Sequence, residues 1–139
     1  METFEADSCV RGHHVFKEIW TPFIGEDLEC KRDEANTRDA YAVGIMRQVG
    51  SSGSPVIVGH VLRKISAACS LFLQREGNIR CIITGNRRYS SDLPQGGLEV
   101  PCKLRFQGSS ILVTKMRKLI GGAKRDSVRQ QYTSATTGN

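Results

Sequence analysis

The stretch NTRDAYAV, residues 36–43, places an amide and a carboxylate three positions apart, directly before an apolar run. The carboxylate of Asp39 suits a hydroxyl donor and repels phosphate, while the amide of Asn36 can contact a sugar or the edge of a base. The same two side chains commonly cap backbone amides in turns. Both roles stay open, and they are compatible because they can use different oxygens.

The charge of the chain changes sign after this stretch. Residues 1–60 carry 6 Lys and Arg against 10 Asp and Glu, whereas residues 61–139 carry 14 against 4. A basic half of this kind is typical of proteins that bind a polyanion such as nucleic acid. The alternative is that these charges only keep a small domain soluble.

Two basic segments have the composition of a single-strand binding surface. Cations follow the phosphates of a strand, and a nearby aromatic ring stacks on a base. The candidate contacts are therefore Arg63 and Lys64 in the first segment and Arg87, Arg88 and Tyr89 in the second. A solvated loop is the alternative interpretation of the second segment.

Two further residues are candidates on weaker patterns. His60 follows Gly59 in an apolar run, and it either contacts phosphate or fills a core or rim position. Trp20 is the only tryptophan of the sequence, and it either belongs to the core or stacks at the rim of the site.

Enzymatic and metal chemistry find little support. The sequence contains no Gly-rich phosphate loop and no nucleophile elbow, so we expect a protein that is not an enzyme and uses no cofactor. Cys9, His13 and His14 resemble one corner of a metal site, but no second pair has a ligand spacing, so we expect no metal. The five cysteines lack a C-x-x-C pair and three lie in apolar patterns, which suits a reducing compartment.

The hydrophobic patterns predict a mostly β protein with one or two helices. We expect a loose tail over residues 1–8, one domain over 9–120, and a basic, then Ser/Thr-rich, disordered tail over 121–139. Apolar spacing at Ile65, Ala68, Cys69 and Phe72 predicts a helix that stops near Gly77. Residues 109–122 remain open between strand and helix, with helix favoured. About six short strands, predicted over residues 9–20, 28–32, 41–47, 55–62, 78–85 and 98–106, suggest a small OB-like β-barrel.

No apolar run is long enough to span a membrane, and the acidic start has no apolar stretch typical of a signal peptide. We therefore expect an intracellular protein, with the nucleus favoured over the cytoplasm. The basic residues Lys115, Arg117, Lys118, Lys124 and Arg125 suit either nuclear targeting or non-specific phosphate contact.

The order of these features resembles the HIRAN domain, a module of helicase-like transcription factor and related DNA-repair remodellers that also occurs as freestanding proteins. The turn at residues 36–43 is similar to the family pattern N-P-x-D-x-x-A-I/V. Val58-Gly59-His60-Val61 is similar to the family's G-[HY]-[LIV] strand, which leads into a helix. The resemblance covers roughly residues 9–108, and it rests on the order and spacing of short motifs.

This resemblance implies a modified oligonucleotide-binding barrel that captures single-stranded DNA, in the remodellers at a free 3′-hydroxyl end. The positions that match the family's pocket are Asn36, Asp39, His60 and, as a basic residue, Arg63. Arg38 stands where the remodellers have a stacking Tyr, and we keep it as a candidate contact.

Several positions depart from the family pattern. Thr37 replaces the usual Pro, and Glu18 and Ile19 align with an Arg-aromatic pair of the remodellers. Lost stacking rings matter because stacking contributes roughly 1–3 kcal/mol per base. The alternative function is therefore a HIRAN-like protein-interaction module that has lost DNA-end recognition. The oligomeric state stays open.

Overall fold

The computed structural model describes residues 1–16, 19–48, 53–89 and 97–121. Seven strands and three helices alternate irregularly along this part of the chain. The strands are β1 (Glu2–Val10), β2 (Asp27–Arg32), β3 (Val43–Gln48), β4 (Pro55–His60), β5 (Asn78–Ile83), β6 (Arg88–Tyr89) and β7 (Leu98–Gly108). The helices are α1 (His13–Phe16), α2 (Arg63–Gln74) and α3 (residues 110–121).

The strands pair antiparallel in the order β1-β7-β5-β2-β3-β4, and β6 pairs with the start of β7. These ladders do not close into a barrel, so the mostly β prediction is confirmed while the OB-like barrel stays a prediction. One isolated bridge joins the ends of β1 and β4, where Arg11 and His60 exchange backbone hydrogen bonds of 2.8 and 2.9 Å.

The N-terminal predictions are wrong. Residues 1–8 are not a loose tail, because β1 pairs with β7 over nine consecutive positions. Phe4, Ala6 and Val10 alternate toward the core between charged residues, which is the pattern of a half-buried strand. The strand predicted over residues 9–20 ends at Val10 instead. Gly12 has a φ of +79°, which ends the extended backbone, and α1 follows.

The other predicted elements are confirmed within a few residues. The strands β2 to β5 and the helix α2 form where the patterns place them, and residues 110–121 form a helix. Pro101 lies inside β7, which is paired on both sides, and the register of β7 with β1 is continuous. Pro101 lies between the β5 and β6 pairings, and its carbonyl accepts a hydrogen bond from Thr84 N (3.0 Å). Its missing N–H therefore faces the gap between these two pairings.

The core lies between the sheet and the two longer helices. The Phe72 ring of α2 meets Phe106 of β7 edge-on at 5.5 Å, and α3 contributes Val113, Met116 and Ile120. All five cysteines are free, and four of them are buried. The tail predicted over residues 121–139 lies outside the described residues except for Gly121.

Candidate nucleic-acid interface

An open groove of about 1010 Å³ lies where the ends of β1 and β4 meet. Five segments line it: the end of β1 with Arg11 and Gly12, the turn at residues 36–42, the end of β4, the start of α2, and the β6–β7 pair. The Arg11–His60 bridge joins its two sides. Seven of the ten predicted site residues line this groove: Asn36, Arg38, Asp39, His60, Arg63, Lys64 and Arg88.

Asn36 and Asp39 both cap backbone amides of their own turn. Asn36 Oδ1 accepts hydrogen bonds from the backbone N of Arg38 and of Asp39, each at 2.9 Å. Asp39 Oδ1 accepts one from Tyr41 N at 2.9 Å. The other carboxylate oxygen of Asp39 has no hydrogen-bond partner within the described part of the chain, and Asp39 lines the groove. Asp39 thus combines a structural oxygen with one that a ligand can use.

His60 is already bonded within the protein. Its Nε2 lies 2.8 Å from Asp33 Oδ2, and the side chains are 26% and 13% exposed. An ionised carboxylate only accepts hydrogen bonds, so Nε2 carries the proton. Nε2 is therefore engaged within the protein and is not free to donate to a phosphate oxygen.

The start of α2 brings positive charge to the groove. Arg63 Nη2 donates to the carbonyl of Arg38 at 3.2 Å, so the helix is tied to the turn. Leu62 occupies the N-cap position and provides no side-chain cap for the first helical amides. Lys64 is exposed beside them. Helix N-termini favour anions because their amides point outward along the helix dipole.

The cations near the start of α2 differ from the arginines of the sheet in whether they have a carboxylate partner. Every arginine within a described strand has a carboxylate partner at 3.5 Å or less; these are Arg32, Arg47, Arg80, Arg88 and Arg105. Arg38, Arg63 and Lys64 have no carboxylate partner among the residues that the structure describes. We call these three cations, with Asp39, the cationic wall.

Among the described residues, the opposite side of the groove carries both signs of charge in equal number. Glu99, with a side chain only 9% exposed, contacts Arg88 Nε through Oε1 (3.1 Å) and Arg11 Nη1 through Oε2 (3.0 Å). Asp7 lines the same side, and Arg88 Nη2 lies 3.7 Å from Cys9 Sγ. We call Asp7, Arg11, Arg88 and Glu99 the balanced wall.

The pKa of the Cys9 thiol depends on these neighbouring groups. Burial, followed by the nearby Glu99 carboxylate, raises the pKa of Cys9, although Arg88 opposes this effect. The thiol is therefore protonated at neutral pH and is a weak nucleophile.

Three predicted site residues do not line the groove. Trp20 is 1% exposed, its Nε1 donates to Glu26 Oε1 at 3.1 Å, and its ring meets His13 edge-on at 5.4 Å. Of the two alternatives for Trp20, the core position is therefore the one observed, and the rim position is excluded because a buried ring cannot stack on a base. Arg87 and Tyr89 are exposed next to Arg88, outside the lining residues.

Sequence reasoning missed Asp7, Arg11 and Glu99. Asp7 was assigned to a loose tail, although the alternation of Phe4, Ala6 and Val10 signalled a strand. Arg11 and Glu99 are far apart in the sequence, so no local pattern joins them.

In the described segments no group of three or more His, Cys, Asp or Glu side chains is placed to hold a metal ion. No helix in that part of the chain is long and apolar enough to cross a membrane.

No protein-family model and no curated protein matches this sequence. Solved structures do match its fold. The crystal structure of the HIRAN domain of human HLTF has a TM-score of 0.60 and 14% identity, covering 85% of this chain and 87% of that one. This chain has a HIRAN-like fold. The NMR structure of the HLTF HIRAN domain gives 0.53 and 15% identity, over 85% of this chain and 90% of that one. The resemblance inferred from the short motifs is thus confirmed for the fold.

Proposed function

We propose that this HIRAN-like chain is a non-enzymatic module that binds single-stranded nucleic acid in the groove, with single-stranded DNA favoured. The cationic wall carries this proposal. Arg38, Arg63 and Lys64 lack carboxylate partners among the described residues, while every arginine of the described strands has one. Cations without a carboxylate partner in the described part of the chain, placed beside the start of α2, suit the phosphates of a strand.

The groove lining explains how such binding would depend on salt. Among the residues that the structure describes, no Trp, Tyr or Phe lines the groove, and the exposed rings of Tyr41 (56%) and Tyr89 (79%) lie outside the lining. Phosphate contacts therefore supply most of the affinity, and counterion release makes it salt-dependent. For single strands the logarithm of the affinity falls by about 0.7 per contact for each decade of salt.

Fluorescence anisotropy with a labelled single-stranded oligonucleotide tests the proposal. We expect binding at low salt. The slope of the logarithm of the affinity against the logarithm of the salt concentration should correspond to about two or three phosphate contacts. Lys64→Gln lowers the affinity and reduces this slope by about one contact. The matched control is Lys31→Gln, because Lys31 lies on β2 away from the groove and is 4.0 Å from Glu29. An oligonucleotide that does not bind at low salt, or equal effects of both variants, would overturn the proposal.

Recognition of a 3′ end is the finer form of this proposal. The second oxygen of Asp39 accepts a hydrogen bond from a terminal hydroxyl, while Asp39 Oδ1 holds the turn through Tyr41 N. Asp39→Asn keeps an acceptor for Tyr41 N but replaces the second oxygen with a donor. We expect a 3′-phosphorylated oligonucleotide to bind more weakly than one with a free 3′-hydroxyl, and Asp39→Asn to remove this difference. Equal binding of both oligonucleotides to the unmodified protein rejects end recognition and leaves strand binding intact.

A second candidate function is a protein-interaction module. The loop before β2 exposes three large apolar side chains, Ile19 by 52% and Phe23 and Ile24 by 60% each. Exposed apolar groups that cluster in one loop are typical of contact sites. A photo-crosslinking residue at position 23 tests it. We expect a discrete adduct to form in cells and the substitution Ile24→Ser to abolish it. An adduct that still forms in the Ile24→Ser variant would count against this function.

A further inference from the structure

The two walls of the groove differ in charge. This difference determines which wall the phosphates of a bound strand face and which wall its bases face. The cationic wall has three cations against the single carboxylate of Asp39. The balanced wall has two cations, Arg11 and Arg88, against two carboxylates, Asp7 and Glu99. A phosphate gains net attraction only from the first wall, because the charges of the second cancel at a distance.

The balanced wall still offers directional hydrogen bonds. Glu99 uses one oxygen for Arg88 and the other for Arg11, and its burial fixes the position of both guanidinium groups. A guanidinium has five N–H donors. Arg88 uses one for Glu99 and directs another to Cys9 Sγ, and its side chain is 60% exposed. Donors therefore remain available in a fixed orientation at the groove surface.

We propose that the phosphates of a bound strand follow the cationic wall and that the base edges face the balanced wall, where Arg88, positioned by Glu99, reads guanine. This inference rests on the proposed function and assigns a specificity residue to it. Guanine offers two adjacent acceptors, O6 and N7, that match two N–H groups of one guanidinium. Adenine places an N6 donor where guanine has O6, so it opposes a second donor from Arg88.

Glu99 has the role of a positioning residue. Without its carboxylate, Arg88 and Arg11 would repel each other and the guanidinium of Arg88 would sample several rotamers. Glu99→Gln keeps the shape and one acceptor, so the protein keeps its fold. Phosphate contacts at the cationic wall do not depend on Glu99, so the loss should appear in base preference rather than in the salt slope.

The experiment uses a short oligothymidylate that carries one guanine, one adenine or one 7-deazaguanine at each position in turn. We expect guanine to bind about tenfold more tightly than adenine at one position. 7-Deazaguanine lacks the N7 acceptor and should lose much of this preference.

Four variants separate base reading from phosphate binding. Arg88→Lys keeps the charge but removes the two-pronged donor, so it should abolish the preference for guanine, and Glu99→Gln should weaken it. Arg87→Lys is the matched control on the neighbouring exposed arginine, and it should preserve the preference. Lys64→Gln should weaken all oligonucleotides equally. Circular dichroism and thermal unfolding verify that each variant is folded.

The outcomes distinguish this inference from the function on which it rests. Base-independent binding by the unmodified protein, or a guanine preference that survives Arg88→Lys, overturns the inference and leaves strand binding in place. Binding of none of these oligonucleotides at low salt overturns the proposed function as well.

Discussion

His60 Nε2 lies 2.8 Å from Asp33 Oδ2, and this contact joins the end of β4 to the turn that carries Asn36 and Asp39. Asp33 also donates its backbone N–H to the carbonyl of Ala42 at 2.8 Å. His60 pairs through its backbone with Arg11, on the opposite side of the groove. Asp33 and His60 therefore connect the turn, β4 and β1 at one place, and they set the position of the groove rather than the charge of its surface.

The first prediction concerns the tautomer of His60. Because the Asp33 carboxylate accepts from Nε2, we expect ¹⁵N spectra of the neutral imidazole to show the proton on Nε2 rather than on Nδ1. Asp33→Ala should give a mixture of tautomers and lower the free energy of unfolding by about 1–3 kcal/mol. A ring protonated at Nδ1 alone in the unmodified protein would contradict the assigned contact.

The second prediction concerns Asn36. Its Oδ1 accepts from two backbone amides, so Asn36→Ala should lower the free energy of unfolding by about 2 kcal/mol, as measured by urea denaturation. Asn36→Ser is the control, because a serine hydroxyl can accept in the same turn more weakly. Its loss of stability should be smaller, and equal losses would show that the acceptor is not what stabilises the turn.

Sequence patterns predicted the parts of the fold that local periodicity determines. Leu28 and Cys30 alternate with polar residues in β2, and Ile65, Cys69 and Phe72 form one face of α2. These patterns need no partner to be recognised. In β1 the same alternation is present at Phe4, Ala6 and Val10, but the charged residues Glu2, Glu5 and Asp7 make it weak, and the pairing with the distant β7 identifies the strand.

The candidate site likewise contains some residues that local sequence patterns predict and others that they do not. The turn motif gave Asn36 and Asp39, and the residues after the Gly-His motif gave Arg63 and Lys64, because each group is contiguous in the sequence. The contact of Arg11 with Glu99 depends on β1 and β7 lying side by side, which only the tertiary structure shows. For Trp20 the sequence leaves core and rim open, because composition alone does not report burial.

The third prediction concerns the pH dependence of stability. Burial raises the pKa of the Cys69 thiol from 9.0 to about 12. The unfolded chain therefore loses this proton first, so the contribution of Cys69 to stability is full below pH 9.0 and is lost as the pH rises toward about 12. The loss reaches about 1.4 kcal/mol per pH unit for one thiol.

Urea unfolding at pH 8 and pH 10 with a reductant measures this effect. Cys69→Ala should show a smaller decrease in the free energy of unfolding between these values than the unmodified protein. Lysines, tyrosines and the other thiols titrate in both proteins, so the comparison isolates Cys69. The same decrease in both proteins would contradict the prediction.

The last prediction concerns the close approach of β4 to β1 under the groove. A Cβ atom at Gly59 would lie 2.3 Å from Val10 Cγ1 and 3.1 Å from the carbonyl oxygen of Arg11. Val10 is fully buried, so it cannot turn away into solvent. Gly59→Ala must separate the two strands, strain the Arg11–His60 bridge and lower the free energy of unfolding by about 1–3 kcal/mol.

A double-mutant cycle checks this prediction by urea denaturation. Val10→Ala removes the methyl groups that the new Cβ would meet, and by itself it destabilises the protein by leaving a cavity. The two substitutions together should therefore cost less than the sum of their separate effects, since each relieves the other. Additive costs would show that Gly59 is not required for the contact between β4 and β1. Any strain caused by Gly59→Ala would then arise at a place other than the contact between β4 and β1.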